Sequence, residues 1–200
     1  MTSFKFARIL PGVSPDFFCD HEDLDPHFQS GRAFYEAELS TITYALTANN
    51  GNDLIAMVGL SNAYLDLQGI ASGPAVKIDA LGVSNAFKGQ GIGVHLIQFL
   101  QAFFVIENKT GCRYMTVDSY NNPRTLNFYK KHCEFIEFLP AKKTTSMFYD
   151  LAKTRDSFEE NPTTRNKYHK IIRKIAEAGW GMLEIPDRNS SSSISEKEPA

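Results

Sequence analysis

Three glycines at alternate positions form the pattern in this sequence that is best able to do chemistry. The run is Lys88-Gly89-Gln90-Gly91-Ile92-Gly93. An apolar stretch over residues 78–83 precedes it, and apolar residues at helical spacing follow it as far as residue 104. Glycines at the start of a helix let unpaired backbone N–H groups approach an anion, and the helix dipole favours negative charge there. The run therefore predicts a strand, a turn and a helix whose N-terminus binds a phosphate or pyrophosphate.

The spacing of the glycines excludes the two commonest phosphate loops. A P-loop ends in Gly-Lys-Ser/Thr, but Gly93 is followed by Val94 and His95. A dinucleotide-binding fingerprint would need its third glycine at Val94 or Leu96. The run instead resembles the acetyl-CoA pyrophosphate loop of the GNAT acetyltransferase family, Gln/Arg-x-x-Gly-x-Gly/Ala, with Lys88 at the Gln/Arg position. A glycine-rich turn that binds nothing is the alternative interpretation.

A second motif strengthens the resemblance. The family pattern here is Asn-x-x-Ala-x-x-Phe-Tyr, and the corresponding residues are Asn122, Thr125 (in place of Ala), Phe128 and Tyr129. Pro123 suits the first turn of a helix, because its missing N–H would be unpaired there anyway. The motif predicts a strand over residues 114–118 followed by a helix over residues 123–132.

The chain departs from the family pattern after this helix. The Gly-Phe pair that usually follows is absent, and residues 130–135 are one residue longer than the pattern. This departure concerns the turn from the helix to the next strand and not the helix itself. The two motifs, in this order, cover residues 76–151 and are much more specific together than either is alone.

The remaining periodicity predicts an α/β chain of the α+β type. Strand patterns cover residues 3–10, 41–48, 53–60, 78–83, 113–119, 135–139 and 145–151, and helical patterns cover residues 23–39, 92–104 and 123–132. We expect a break in the first helix near Ser30-Gly31, a hairpin turn at residues 49–52 and a loop over residues 61–75. The resemblance implies a GNAT-like mixed, mostly antiparallel sheet with splayed central strands, flanked by helices.

Composition limits the class of protein. The chain has 200 residues, of which 42% are hydrophobic, and this suffices for one sizeable core. We expect no membrane span, because no run of about 18 apolar residues occurs. The three cysteines are widely spaced, which argues against a disulfide framework and against a metal cluster. The N-terminus lacks the features of a signal peptide, and a cytoplasmic protein is expected.

The composition changes after residue 151. We expect an acetyltransferase domain over residues 1–151, an accessory linker and helix over residues 152–188, and a disordered tail over residues 189–200. The predicted helix, residues 164–178, is strongly basic on one side. Its apolar stripe (Ile171, Ile172, Ile175, Ala178 and Trp180) suits docking on the domain or on a second subunit, so a homodimer is an open alternative.

The resemblance also implies a role for each motif residue. The backbone of Leu81, Gly82 and Val83 would pair with pantetheine and polarise the thioester carbonyl, and the glycine run 88–93 would hold the pyrophosphate of acetyl-CoA. Tyr129 would protonate the leaving thiolate, since a phenol of pKa about 10 is a suitable donor. Simple packing is the alternative for Tyr129. Asn122 would orient the cofactor or cap its helix.

The sequence singles out no general base. Asp79 is predicted to share a strand face with Leu81, two residues later, and Asp118 ends the next motif strand. Either carboxylate could deprotonate an ammonium group directly or through water. His95 and Cys133 are better interpreted as surface or packing residues, and no metal site is expected.

The sequence indicates the acetyl acceptor less clearly than the acyl donor. Phe18-Cys19-Asp20, Leu24-Asp25 and the strand Thr43-Tyr44-Ala45-Leu46 resemble the toxin branch of the family, which acetylates aminoacyl-tRNA. Residues 1–74, however, carry nine acidic side chains against three basic ones, and this disfavours RNA at that face. We therefore expect acetyl transfer to a primary amine of a small molecule or protein. Aminoacyl-tRNA is the alternative acceptor, and a non-catalytic acyl-CoA-binding module is a further alternative.

Overall fold

Seven strands form a single sheet in the order β1-β2-β3-β4-β5-β7-β6. The computed structural model describes residues 5–9, 13, 15–48, 53–107 and 110–177. Among the strands of these residues only β4 and β5 pair in parallel, so the predicted mixed, mostly antiparallel sheet is confirmed. The strands are β1 (Lys5–Arg8), β2 (Ile42–Ala48), β3 (Asp53–Leu67), β4 (Ala71–Val83), β5 (Tyr114–Tyr120), β6 (Ile136–Pro140) and β7 (Thr144–Asp150). The predicted turn at residues 49–52 lies outside the described residues.

The helices lie on both faces of this sheet. They are α1 (Leu24–Pro26), α2 (Arg32–Ala37), α3 (Ile92–Ile106), α4 (Pro123–Asn127), α5 (Leu151–Glu160) and α6 (Pro162–Glu177). The predicted break near Ser30-Gly31 is wrong, because a π-helical turn (His27–Gly31) joins α1 to α2 in one helical path. Glycine costs about 1 kcal/mol in a helix relative to alanine and serine costs less, and tertiary packing can outweigh both. Burial of Phe28 and of the Arg32–Glu36 ion pair holds the segment helical.

Each face of the sheet has its own apolar core. The larger core lies between α3 and the sheet and includes Leu96, Leu100 and Ile78. The smaller core lies between the α1–α2 segment and the sheet and includes Phe28 and Ala80. Helix α3 therefore has the amphipathic role that its apolar spacing predicts.

The predicted loop over residues 61–75 is wrong, because β3 and β4 continue through it as a long hairpin. Their pairing runs without interruption to Leu67↔Ala71. Leu65 is buried beneath this hairpin with Tyr114 and Phe148, in a third apolar cluster. The alternation of apolar and polar residues up to Leu67 was the strand signal, and burial of that face stabilises the hairpin.

A β-bulge at Asp79 opens the centre of the sheet. Gly59 pairs with Ala80 and Leu60 pairs with Ile78, so Asp79 is an extra residue on β4. The parallel pairing of β4 with β5 ends at Ile78↔Val117. Beyond the bulge the two strands separate, which accounts for the splayed central strands that the resemblance implied.

The predicted polar linker after residue 151 is helical. The Asp150 carboxylate caps α5 by accepting the Ala152 N–H at 2.9 Å. An aspartate at this position is a helix-start signal, but the polar composition of the segment favoured a linker. Helices α5 and α6 pack on α3, where Phe158 and Ile172 are buried. None of the described helices is long and apolar enough to cross a membrane. The predicted tail, residues 189–200, lies outside the described residues, and the separability of residues 152–188 stays a prediction.

Candidate functional site

The sequence-predicted residues meet in the cleft between the separated ends of β4 and β5. This cleft has a volume of about 560 Å³, which is within the usual range for small-molecule sites. Gln90 is exposed and does not line it. The predicted residues that line it are Asp79, Leu81, Gly82, Val83, Lys88, Gly89, Gly91, Ile92, Gly93, Asp118, Asn122 and Tyr129.

Two of the loop glycines are required by backbone conformation. Gly89 (φ 78°) and Gly91 (φ 73°) both adopt the left-handed region that side chains disfavour. Gly91 is also the N-cap of α3, so the N–H groups of the first helical turn point into the cleft mouth without helical partners. The arrangement suits a diphosphate. The Lys88 ammonium adds positive charge there, although it also lies 3.9 Å from the Asp20 carboxylate.

Gly93 and Gly82 are required because there is little room for a side chain at either position. A Cβ atom on Gly93 would lie 3.2 Å from the Phe128 ring, and one on Gly82 would lie 2.9 Å from the rings of Phe17 and Phe28. Gly93 therefore allows α3 to approach the residue that directly follows α4. Gly82 allows the segment before α1 to cross β4 at close range.

The edge of β4 that faces the cleft provides main-chain groups for a ligand. Because β5 pairs with β4 only as far as Ile78, the peptide groups of Leu81, Gly82 and Val83 have no strand partner on that side. Unpaired strand edges bind extended chains by main-chain hydrogen bonds. The cleft thus fits an extended amide-containing chain on β4 that ends in a diphosphate at α3.

The comparison with known families agrees with this geometry. The profile described as the acetyltransferase (GNAT) family matches residues 8–135. The chain belongs to the GNAT acetyltransferase family. It is an acetyl-CoA-dependent N-acetyltransferase, and acetyl-CoA is its acyl donor. A search of curated protein sequences gave no significant match.

Solved structures of toxin acetyltransferases share the fold. The toxin AtaT, solved with acetyl-methionyl-tRNAfMet, has a TM-score of 0.64 and 16% identity over 78% of this chain and 99% of that chain. AtaTR bound with acetyl-CoA has a TM-score of 0.61 and 16% identity over 78% of this chain and 98% of that chain. The KacTA–DNA complex has a TM-score of 0.59 and 19% identity over 80% of this chain and all of that chain.

Tyr129 lies in a π-helical turn (Phe128–His132) that follows α4. Its ring is buried and packs edge-on against Phe128 and Phe135, with ring centroids 4.8 and 5.4 Å away. Burial, and secondarily Cys133, raises the pKa of the phenol well above its usual value. The acetyltransferase therefore keeps this hydroxyl protonated at neutral pH. Its role as the proton donor stays a prediction.

The π-helical turn also explains the departure from the second motif. A π turn accommodates one extra residue in a helix, which matches the extra residue noted in the sequence. Glu134 (φ 61°) adopts the left-handed conformation that a glycine usually provides. The buried Phe135 donates its N–H to the Tyr129 carbonyl at 3.0 Å. Glu134-Phe135 therefore stands where Gly-Phe is usual.

Asn122 caps α4. Its Oδ1 atom accepts the Thr125 N–H at 2.8 Å and the Thr125 hydroxyl at 2.9 Å. The capping interpretation is therefore confirmed, and Thr125, at the family's Ala position, strengthens the cap. Any contact of Asn122 with the cofactor stays a prediction.

The two candidate bases differ in their surroundings. Asp118 forms an ion pair with Lys77 at 2.8 Å and accepts a hydrogen bond from the Ser146 hydroxyl. Burial opposes ionisation of Asp118, but the hydrogen bonds from Lys77 and Ser146 outweigh it and hold its pKa below the usual value. Asp79 accepts the Thr41 hydroxyl at 3.0 Å. The ion pair and the lowered pKa therefore make Asp118 a poor general base.

The predicted position of Asp79 on the face of Leu81 is wrong. Leu81 packs into the core beneath α3, whereas the partner of Asp79, Thr41, lies on the side of α1 and α2 near His27. The bulge is the physical reason, because an extra residue interrupts the alternation of side chains along the strand. Asp79 is consequently turned toward the side of the cleft that is opposite α3.

Sequence reasoning missed a segment that crosses the cleft, which we call the strap (residues 17–25). The Phe18 carbonyl accepts the Asn85 N–H beyond β4, and the Tyr120 hydroxyl at the end of β5 donates to Asp23 at 2.9 Å. Asp25 holds the turn by accepting the Cys19 N–H at 2.6 Å. The strap thus connects both arms of the cleft. Its sequence had pointed only to a resemblance with the toxin branch.

The other residues considered from the sequence lie outside the chemistry. His95 is exposed on the first turn of α3. Cys133 is buried, and burial, followed by Glu134, raises its pKa to about 12. This thiol is therefore an inert packing group. No cluster of three or more His, Cys, Asp or Glu side chains suited to a metal occurs among the described residues.

Proposed function

We propose that the enzyme acetylates a cationic primary amine, either a small molecule or a lysine-like group on a protein, and that Asp79 receives the proton of the acceptor. The observation that carries this proposal is the unbalanced charge of Asp79. Asp20 has Lys88 nearby and Asp118 has Lys77. Asp79 lines the cleft with only the Thr41 hydroxyl as a polar partner among the described residues.

An unbalanced carboxylate in a cleft favours a cationic ligand. Asp79 is itself exposed, so its attraction for an ammonium group acts partly through solvent and weakens with added salt. Glu22 and Asp23 on the strap add further negative charge beside the cleft, and both are exposed. An amine substrate that carries a second positive group is therefore expected to be a better acceptor than an amine that carries an anionic group.

The residues divide the reaction between them. Acetyl-CoA supplies the thioester whose acetyl group is transferred. Asp79 takes a proton from the ammonium nitrogen, so that its lone pair becomes available for attack. Backbone N–H groups of β4 stabilise the negative charge that develops on the carbonyl oxygen. The C–N bond forms as the amine attacks the thioester carbon, and the C–S bond breaks when the tetrahedral intermediate collapses. Tyr129 donates its hydroxyl proton to the departing sulfur, and the second proton of the attacking nitrogen passes through solvent to the Tyr129 oxygen, which restores the phenol.

Aminoacyl-tRNA is the second candidate acceptor. The likeness to AtaT, which was solved with acetyl-methionyl-tRNAfMet, favours it. The exposed cations Lys167 and Lys170 on α6 suit contact with phosphates. The acidic strap beside the cleft disfavours it, because phosphate groups would be repelled there. The non-catalytic alternative loses its support, because the family is one of acetyltransferases.

One assay separates the two acceptors. CoA release is measured with diamines, polyamines and lysine-ended peptides, and in parallel with methionyl-tRNA. We expect turnover with the cationic amines, reduced about 10²-fold or more in Asp79→Asn. Turnover of methionyl-tRNA alone would contradict the proposal and establish the second candidate.

A further inference from the structure

We propose that Thr41 and His27 are positioning residues for Asp79, which they hold as the proton acceptor from the side opposite the cofactor. This inference rests on the proposed function of Asp79. Neither residue lies in a sequence motif, and neither lines the cleft itself. They act on the reaction only through the Asp79 carboxylate.

Gly59 creates the space in which these groups meet. A Cβ atom on Gly59 would lie 3.2 Å from the Thr41 methyl group, and 3.7 Å from both His27 Nε2 and the Ala80 nitrogen. Gly59 pairs with Ala80, directly beside the bulge that displaces Asp79. The bulge, the threonine and the histidine are therefore packed around one point on β3.

Thr41 orients the carboxylate. Its side chain is buried, and its hydroxyl donates to Asp79 Oδ2 at 3.0 Å. One carboxylate oxygen is thereby fixed in a residue that lines the cleft, which leaves the other oxygen for an ammonium group. A fixed carboxylate loses less freedom when the acceptor binds.

His27 supplies an uncharged neighbour on the far side of Asp79. Its ring packs edge-on against Phe28 and tilted against Tyr35, with centroids 5.2 and 5.6 Å away. Its Nε2 atom is buried and has no hydrogen-bond partner among the described residues. Such a nitrogen is costly to bury, and because it is buried it cannot touch an acceptor in the cleft.

The charges around His27 indicate how it would affect Asp79. The groups facing it are Asp79 from β4 and Arg32 and Glu36 from α2. Burial lowers the pKa of His27, while Asp79 acts in the opposite direction. At neutral pH the imidazole is uncharged, so it does not neutralise Asp79, and the carboxylate can attract the ammonium group of the acceptor. At acid pH the imidazolium would neutralise Asp79 and repel an ammonium group, so activity falls as His27 gains its proton.

Two substitutions at Thr41 test the orientation. Thr41→Val keeps the shape and removes the hydroxyl, whereas Thr41→Ser keeps the hydroxyl. With the best cationic amine of the panel, we expect Val to lower kcat/KM about 10-fold, which is less than loss of the base itself would cost. Ser should stay within about twofold of the wild type, and the affinity for acetyl-CoA should not change in either. Equal turnover of Val and Ser would overturn the role of Thr41.

A substitution of His27 tests its electrostatic effect on Asp79. His27→Phe keeps the ring contacts and removes the titrating nitrogen, so the acid limb of the pH profile of kcat/KM should move to lower pH. His169→Phe on α6, far from Asp79, is the matched control and should leave the profile unchanged. An unmoved acid limb in His27→Phe would overturn the role of His27.

A titration of the His27 ring by NMR reads the same coupling without any acceptor. Asp79→Asn should lower the pKa of His27 further, because the carboxylate stabilises the imidazolium, whereas Asp118→Asn should not change it. If no amine is acetylated by the wild type, the proposed function fails, and this titration still decides whether His27 and Asp79 are coupled. An unchanged His27 pKa in Asp79→Asn would overturn the inference.

Discussion

The two sides of the cleft offer different groups to a ligand. The side predicted to hold the donor, which we call the donor side (residues 81–93), presents the main chain of β4 and the N-terminus of α3, and glycines make both accessible. The acceptor side (the strap, the α1–α2 segment and Asp79) presents side chains, some of them far apart in sequence. Asp79, for instance, is hydrogen-bonded to Thr41, which lies 38 residues away in the sequence. A main-chain site needs only a few residue types at fixed spacing, whereas a side-chain site depends on the whole fold.

This difference explains why the residues of one side predict the acyl donor, whereas the residues of the other side do not identify the acceptor. Glycine at positions 89 and 91 is required by the backbone itself, so the loop tolerates little variation without losing its shape. The exposed strap residues Glu22 and Asp23, by contrast, carry no such constraint from a left-handed backbone or from burial. Fold and function can therefore vary separately on the acceptor side.

Among the groups that would act on the donor, the largest kinetic effect should come from Tyr129, whose substitution separates the chemical step from binding of the donor. Tyr129→Phe keeps the packing against Phe128 and Phe135 but removes the proton donor. We expect kcat to fall about 10²-fold while the KM for acetyl-CoA stays the same, as for a contact made in the transition state. Steady-state kinetics with a reactive amine measures this. Full turnover in the variant would make Tyr129 purely structural, and Tyr168→Phe on α6 is the control.

The next effect distinguishes a glycine that is required by the space around it, Gly82, from one that is required by its left-handed backbone, Gly89. Gly82→Ala should lower the free energy of unfolding by about 1–3 kcal/mol, because its Cβ would overlap the rings of Phe17 and Phe28. Gly89→Ala should cost about 1 kcal/mol from its left-handed backbone alone, since no atom lies within 4 Å of its Cβ position. Urea unfolding of both variants tests the difference. Equal stability loss in both would show that the strap does not pack against β4 as described.

The smallest effect concerns the Asp118–Lys77 pair. Because the pKa of Asp118 is lowered in the folded state, its contribution to stability is present above the unfolded pKa of about 3.9 and disappears as the pH falls through the folded value. Lys77→Met should therefore destabilise the protein at neutral pH by less than about 1 kcal/mol. The gap between variant and wild type should close below about pH 4. Thermal unfolding across this pH range tests it, and a gap that persists at pH 2 would contradict the assignment.

The sequence predicted the donor side better than the acceptor side for physical reasons. The glycine run and the helix after it are local, so their spacing alone predicted the turn and the start of α3. The bulge at Asp79 depends on the register between β3 and β4, and no local pattern reports it. It turned Asp79 away from Leu81 and toward Thr41.

Two other differences have the same origin. The long β3–β4 hairpin is stabilised by burial of Leu65 against Tyr114 and Phe148, which come from later strands. Helix α5 depends on the Asp150 cap and on packing of Phe158 against α3. Both elements have weak local signals and are fixed by tertiary contacts.

Calorimetric binding of acetyl-CoA to Gly91→Glu tests the central claim most directly, that main-chain groups at the start of α3 hold the donor. Glutamate places bulk and negative charge where the diphosphate must approach the backbone. Gly69→Glu is the matched control, because Gly69 has the same left-handed conformation (φ 76°) in the open turn of the β3–β4 hairpin. The account predicts that Gly91→Glu stays folded and loses acetyl-CoA binding, while Gly69→Glu binds like the wild type. Unchanged affinity in a folded Gly91→Glu protein would contradict it.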